Sequence, residues 1–546
     1  MSETLRSSGK VSLAVALSRV LGLFRVSILS RLVGAGALAD AFSVAFRIPN
    51  LLRDLLAEGA LSSAFVPTFT AALKQDGEDA ARHLANLALG GLLLLTGALT
   101  GLGILFAEQV VRAITAGWSI EKIALTARLT RIMMPILALV SLGAVWMGIL
   151  NAQRRFVVPA IAPALFNVVS ILVGVALLVL DVGGERALLV WSVGTLCAGI
   201  AQALSQLPTL WRMGYRPWPA LRGFRAHAGV RRIVRLMLPA VVGVAAVQLN
   251  VFVNTRFAAS LGDGPVAQLE YAFRIFFLPI GMFGVALATV TTTTVSEEAA
   301  RGDRAGLIAR ARESVSAVWL LTAASAVGLA VLAEPVVALL YEGGRFTPED
   351  TRAVAFVLQA YMAGLVPYSM VKVVAPAFYS IDRPRVPLLA SVSAVAVNIV
   401  FNALTYRTLG APGLALGTSI GALVNVVILR LAFRRVVGVM AGEGRARQLV
   451  WLIAACVALA ASVGALRLAF AAALERLQGV ISAPAWLWVA LDASALTLEV
   501  AAGFVVYTAL LRAAGFPGAA QLWRLPVALA RRVRRRRAPP ASTNML

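Results

Sequence analysis

The sequence predicts an all-α polytopic membrane protein, and three observations carry that expectation. Of 546 residues, 60% are hydrophobic and only 14% charged, whereas a soluble surface needs roughly a quarter of all residues charged. The apolar residues cluster in segments of membrane-crossing length, and at roughly 40 residues per crossing with its connector the chain allows about 14 transmembrane helices. The arginines alternate between loops in the way that sets membrane orientation. No room is left for a large soluble domain.

Hydropathy with turn and charge punctuation places the first six spans at 11–33, 39–72, 84–107, 123–150, 157–180 and 187–210. The first two carry charges, and the second contains Pro49, where a bend or break is expected. Six further spans follow at 233–260, 266–291, 315–340, 353–380, 386–404 and 414–433, and two more at 449–468 and 486–511. With a cytoplasmic N-terminus, the inward loops hold Lys74 and Arg82, Arg154 and Arg155, the group from Arg212 to Arg232, then Arg301 to Arg312, Arg383 and Arg385, and Arg434 to Arg447. The opposite loops are short or mixed in sign, such as 260–265 and 342–350. Both termini then face the cytoplasm, and one missed helix would scramble the alternation beyond it.

The chain repeats itself. Ala45-Phe46-Arg47-Ile48 recurs as Ala272-Phe273-Arg274-Ile275, and the polar break from Asn151 to Arg155 with Pro159 recurs at Ser380 to Pro384 with Pro387. Six spans per copy give parallel repeats of the kind found in transporters. The expected organisation is an N-lobe over 1–220, a C-lobe over 221–440, two additional helices over 441–515 and a basic tail over 516–546.

Several chemistries are excluded. Cys197 and Cys456 lie in apolar stretches and His83 and His227 stand alone, too few ligands for a disulfide framework or a metal site. Gly417 to Gly421 fits G-x-S-x-G but sits in an apolar span without a histidine partner, and reads better as small-residue helix packing. Gly9-Lys10 has no upstream glycine loop, so no nucleotide site is expected. The N-terminus lacks the short apolar region and cleavage site of a secretory signal and is read as retained. No enzymatic activity, cofactor or metal is expected.

The informative residues are charges inside spans: Arg19 and Arg25 in the first, Asp40, Arg47, Arg53, Asp54 and Glu58 in the second, then Arg256, Glu270 and Arg274, and later Lys372, Asp492 and Glu499. Each costs about 2.5 to 3.5 kcal/mol at the bilayer centre on insertion scales, so they imply a watery cavity or paired charges. Snorkelling near a span end is the ordinary explanation for any one of them. Ser18, Gly22 and Arg25 share a helix face, as do Asp40 and Arg47. The surplus is cationic, and planar guanidinium groups suit a phosphorylated or carboxylated substrate. The arginines from Arg531 to Arg537 are read as an anchor on anionic membrane lipid rather than a nucleic-acid site.

These residues form a recognisable pattern. The run from Ser18 to Arg25, Gly34 to Phe42, Phe46 to Arg53, and Ala57-Glu58-Gly59-Ala60 with Ala64 to Pro67 closely resembles the opening of the MurJ (MviN) family of lipid II flippases. Gly148 to Ala152, Pro159 to Pro163, Pro279 to Ala288, Tyr341 to Thr347 and Val371 to Tyr379 continue the resemblance over about the first 440 residues. It implies the fold of the multidrug/oligosaccharidyl-lipid/polysaccharide exporter superfamily, two six-helix lobes in a V around a central cavity plus two C-terminal helices forming a groove for a polyprenyl tail. It also implies movement of lipid II, an undecaprenyl-diphosphate-linked disaccharide pentapeptide, from the cytoplasmic to the periplasmic leaflet of a bacterial inner membrane, with the cell-wall synthesis machinery as a further partner. The family's substrate-binding residues fall here on Arg19, Arg25, Asp40, Arg53 and Arg274. Ser18, Arg47, Glu58, Lys372 and Asn254 are candidate cavity or gating positions.

Three positions depart from the family pattern. Val26 and Phe273 stand where acidic residues are common, and Asn254 where many members carry an aspartate linked to a cation site. Their neutrality favours membrane potential over sodium or proton coupling as the drive. The alternatives are export of another polyprenyl-diphosphate glycan, a cation-coupled multidrug antiporter, whose cavity should be acidic, and a non-transporting scaffold, which would leave the internal arginines without a ligand.

Overall fold

The computed structural model describes residues 3–56, 60–439, 445–480 and 484–523. Among them the regular structure is helical, apart from one isolated bridge between Gly343 and Phe346. The helices are α1 (Glu3–Val33), α2 (Ala37–Leu56), α3 (Ala60–Gln75), α4 (Gly77–Leu105), α5 (Ala107–Ile114), α6 (Ile120–Met133), α7 (Ile136–Ala152), α8 (Val157–Val179), α9 (Gly184–Leu204) and α10 (Leu207–Arg212). They continue as α11 (Ala228–Ala259), α12 (Pro265–Pro279), α13 (Val285–Ala300), α14 (Arg304–Val331), α15 (Ala333–Tyr341), α16 (Pro348–Met362), α17 (Leu365–Ser380), α18 (Arg385–Val436), α19 (Arg445–Val480) and α20 (Ala485–Ala513). A π-helical turn, Ile280–Gly284, joins α12 to α13.

Among the described residues, eleven helical stretches are long and apolar enough to cross a membrane, or twelve when the bent pair α16 and α17 counts as one span. The expected fourteen differ from that count at two places. Helix α11 lies outside the eleven, and α18, with 52 residues, counts once although the sequence divides it into two spans. A straight helix of that length would be about 78 Å long, against a hydrocarbon core of about 30 Å. It is interrupted at Gly410, whose φ of 61° and ψ of −149° are non-helical, a conformation open to glycine but not to β-carbon residues.

The break expected at Pro49 is absent, because α2 runs through it to Leu56. Proline removes one backbone donor. It leaves the Ala45 carbonyl without its usual donor, and in the same turn the Asn50 side chain donates to the Phe46 carbonyl at 2.7 Å.

By packing, the chain forms two compact units: residues 1–271, 340–354 and 399–414, and residues 272–339, 355–398 and 415–546. In the first, Phe65, Phe69, Leu84, Leu87, Trp146 and Leu150 close one core between α3, α4 and α7. Gly148 is required there, since a β-carbon would stand 2.6 Å from the Phe65 ring. Val44, Ile48, Trp118, Ile123, Leu137 and Ala258 close another between α2, α5, α6 and α11. The second unit has a core of Val295, Leu307, Val318, Phe378 and Phe433. A separate cluster joins α14, α19 and α20, where Tyr507 donates to the Leu320 carbonyl at 2.9 Å. Outward leucines and valines such as Leu172, Val179, Val457 and Leu468 are exposed, the arrangement expected where lipid is the solvent.

Within the first unit, the segment 341–350 is seated on the end of α1. Ser30 donates to the Tyr341 carbonyl at 3.1 Å, the Arg345 amide to the Arg31 carbonyl at 2.9 Å, and the Ala35 amide to Asp350 at 3.3 Å. Tyr271 donates to the Gly34 carbonyl at 3.0 Å and accepts ring packing from Tyr341 and Phe346. Gly344, at φ 57°, lies so close to the Arg31 carbonyl that a β-carbon would collide with it. Gly344→Ala should therefore cost about 1 to 3 kcal/mol and lower the thermal unfolding midpoint of the detergent-purified chain by several degrees. An unchanged midpoint would show that the segment is not seated this way.

Candidate functional site

Helix α2 carries charges at positions 40, 47, 53 and 54, and seven-residue spacing puts Asp40, Arg47 and Asp54 on one face. Each meets a specific partner inside the first unit. Asp40 is fully buried. Its Oδ2 accepts from Lys122 Nζ at 2.9 Å and from the Gly264 amide at 2.7 Å, and its Oδ1 accepts from the Ala267 amide at 2.8 Å. Those amides belong to the approach and first turn of α12, where backbone donors lack helical partners and the dipole favours an anion. Lys122, itself buried, also donates to Asp263 at 2.7 Å, and its ammonium lies 3.8 Å from the centre of the Trp118 ring.

One level along the helix, Arg47 donates to Thr255 at 2.5 Å and to Glu270 at 2.6 Å. Beyond it, Asp54 accepts from Arg53 at 2.9 Å and from Gln248 at 3.1 Å. Asn402 donates to Asn254 at 2.8 Å. The carboxylates of α2 are thus met by cations and amides rather than left in an apolar medium, the condition for holding charge at depth.

Arg25 is arranged differently. Its side chain is buried, with the guanidinium carbon 5.8 Å from the Phe46 ring and 5.4 Å from the Phe166 ring. Aromatic faces stabilise a cation through the ring quadrupole. Two turns earlier the Asn167 amide donates to the Ser18 carbonyl at 3.0 Å, fixing α1 against α8. Arg19 is exposed beside it.

The remaining expected positions divide as follows. Arg274 is half-buried in α12 within the second unit, and its neighbour Phe273 packs on Phe276, Phe277 and Tyr361. Lys372 is exposed, 5.8 Å from the Tyr368 ring centre. Glu58 and the arginines 531–537 lie outside the described residues. Among the described residues no group of three His, Cys, Asp or Glu side chains is placed to hold a metal ion. The histidines do not stand alone, since folding brings the rings of His83 and His227 to 5.7 Å.

Sequence reasoning missed Lys122, Thr255, Gln248, Asn167 and Asn402. Lys122 precedes the span start assigned at residue 123, so it read as a loop residue. The signal was Asp40 itself, because a carboxylate at that depth demands a cation. Amides within spans were a second signal, four of which bond here to polar groups on other helices.

A family model described as lipid II flippase MurJ matches residues 29–477. The lipid II flippase MurJ of Burkholderia cenocepacia is 35% identical over 448 residues, covering 81% of this chain and 86% of that protein. A solved structure of lipid II flippase MurJ in an inward closed conformation matches with a TM-score of 0.74 at 22% identity, over 92% of this chain and 98% of the other. An inward-facing multidrug resistance transporter of the MATE family, in the MOP superfamily, matches with a TM-score of 0.66 at 17% identity, over 77% and 95%. At such identities the solved structures establish the all-helical fold.

Removing Lys122 leaves Asp40 buried with only backbone donors. Lys122→Met should destabilise the chain by about 3 to 5 kcal/mol, and adding Asp40→Asn should recover part of the loss. A double variant as unstable as Lys122→Met alone in chemical denaturation would mean that the two groups are not coupled.

Proposed function

The chain belongs to the lipid II flippase MurJ family, and we propose that it moves lipid II from the cytoplasmic to the periplasmic leaflet of a bacterial inner membrane by alternating access. The observation that carries this is a family match over most of the chain, 29–477, joined to a buried arginine, Arg25, held by aromatic faces. A guanidinium is the group suited to bind the two phosphates of the substrate, because its planar fork matches phosphate oxygens. In this proposal Arg19, Arg25 and Arg53 of the first unit and Arg274 of the second engage the diphosphate and sugar during the cycle. Ser18 ties α1, which carries Arg19 and Arg25, to α8, and Asn254 ties α11 to α18. Asp40, with both oxygens bonded, acts through Lys122 and the start of α12 rather than on the substrate, and Arg47 through Glu270.

The repeats over 1–220 and 221–440 would supply the two moving lobes. Segment 441–515, holding α19 and α20, would receive the polyprenyl tail, and 516–546 would anchor the C-terminus on the cytoplasmic side with the N-terminus. Val26, Phe273 and Asn254 are neutral where the family favours acids, which supports membrane potential as the drive. Chemistry on the substrate is not required, since translocation makes and breaks no covalent bond. The cell-wall synthesis enzymes that consume lipid II are the natural partners.

Depleting the protein from its cell should abolish exposure of lipid II on the outer leaflet. Unchanged exposure, with no redundant flippase present, would contradict the assignment, and loss of a different polyprenyl-diphosphate glycan would redirect it. Arg25→Ala and Arg274→Ala should each fail to restore exposure. Arg25→Lys should fail as well, because it keeps the charge and loses the bidentate fork. A scaffold would tolerate all three.

A further inference from the structure

The segment between α10 and α11 is more than a basic connector. Between Glu185 and Asp263 the sequence has no Asp or Glu and nine arginines. A segment needed only to link two helices and bias topology could be mobile. This one is bolted to α4. Tyr215 is buried against Phe69 and under the Arg82 guanidinium, 5.4 Å from its ring centre. The Trp218 amide donates to the Asn86 side chain at 3.1 Å and the Ala220 amide to the Asn86 carbonyl at 2.9 Å. Gly90 and Gly91 form the seat, since a β-carbon on the first would collide with the Ala220 backbone and on the second with the Phe224 ring.

What this seat displays is a mixed surface at the membrane end of α9 and α10. Trp218 is 76% exposed, Trp211 58% and Leu221 51%. Arg212, Arg216, Arg222 and Arg225 are exposed among them. Exposed tryptophan and leucine interleaved with arginine, on a backbone fixed beside a span end, match the headgroup region of a bilayer: indole rings sit at that depth and arginines meet phosphates. Ordinary charge bias explains the arginines alone. It explains neither the two exposed tryptophans nor the paired glycines that hold the segment down.

We propose that residues 211–225 form a docking surface for anionic phospholipid headgroups, fixing the bilayer depth of the N-terminus of α11. The occupant is the bulk lipid and not the transported substrate, because the surface pairs interfacial aromatics with several separated cations rather than a single enclosed diphosphate site.

The test is retention of phosphatidylglycerol, against phosphatidylcholine, by the detergent-purified full chain in native mass spectrometry. Each arginine near a charged surface contributes about 1 kcal/mol, roughly fivefold. The variant R216Q/R222Q/R225Q should lower the apparent affinity for phosphatidylglycerol at least tenfold and leave phosphatidylcholine unchanged. Trp218→Ala alone should lower phosphatidylglycerol retention severalfold, which covers the case of a triple variant that fails to fold. R383Q/R434Q/R435Q, which removes the same charge from other loops, should change retention less than twofold. Equal losses in the two triple variants, or no loss in the first or in Trp218→Ala, would overturn the proposal. So would displacement of phosphatidylglycerol by millimolar inorganic pyrophosphate at constant ionic strength, since that marks a diphosphate site.

Discussion

The structure depends on one constraint: a charge inside hydrocarbon must be met there, because water is not available to meet it. Helix α2 answers it in successive layers. Asp40 is neutralised by Lys122 and by backbone donors at the start of α12, Arg47 by Glu270, and Asp54 by Arg53 and Gln248. Each layer ties α2 to another helix, so satisfying the charges also fixes the positions of α6, α11 and the beginning of α12. Buried ion pairs of this kind add little net stability but are costly to break singly. They therefore specify which helices meet more than they strengthen the fold.

Against that background Arg25 is informative. The rings of Phe46 and Phe166 flank its buried guanidinium, and the residue after it is Val26. In the proposed function this guanidinium meets the diphosphate of the substrate. The net +24 of the chain, fifty basic against twenty-six acidic residues, is largely a matter of loops and termini. In the proposed function, the part of it that meets the substrate is a few internal arginines.

The helical architecture was legible because lipid imposes long apolar runs, and arginine-bearing loops punctuate them. What the sequence concealed is equally physical. Pro49 reads as a bend or break, yet α2 continues through it to Leu56. Lys122 reads as a loop residue because hydropathy draws the span boundary just after it, although its partner Asp40 was plain. The pairing of α2 with Thr255, Glu270 and Gln248 joins residues some two hundred positions apart and leaves no local trace. His83 and His227 likewise look isolated until α4 meets the start of α11. Arg25 was recognised from its face and its motif, but the rings that hold it come from α2 and α8.

In the proposed function this chain, by itself, carries lipid II across a bilayer through its internal arginines. The most direct measurement is transbilayer movement of fluorescent lipid II in liposomes containing the purified protein, with an imposed membrane potential and a membrane-impermeant quencher outside. Movement should depend on the protein, accelerate with the potential and be absent with Arg25→Ala. Movement no faster than in empty liposomes, or undiminished by that substitution in a folded variant, would contradict it.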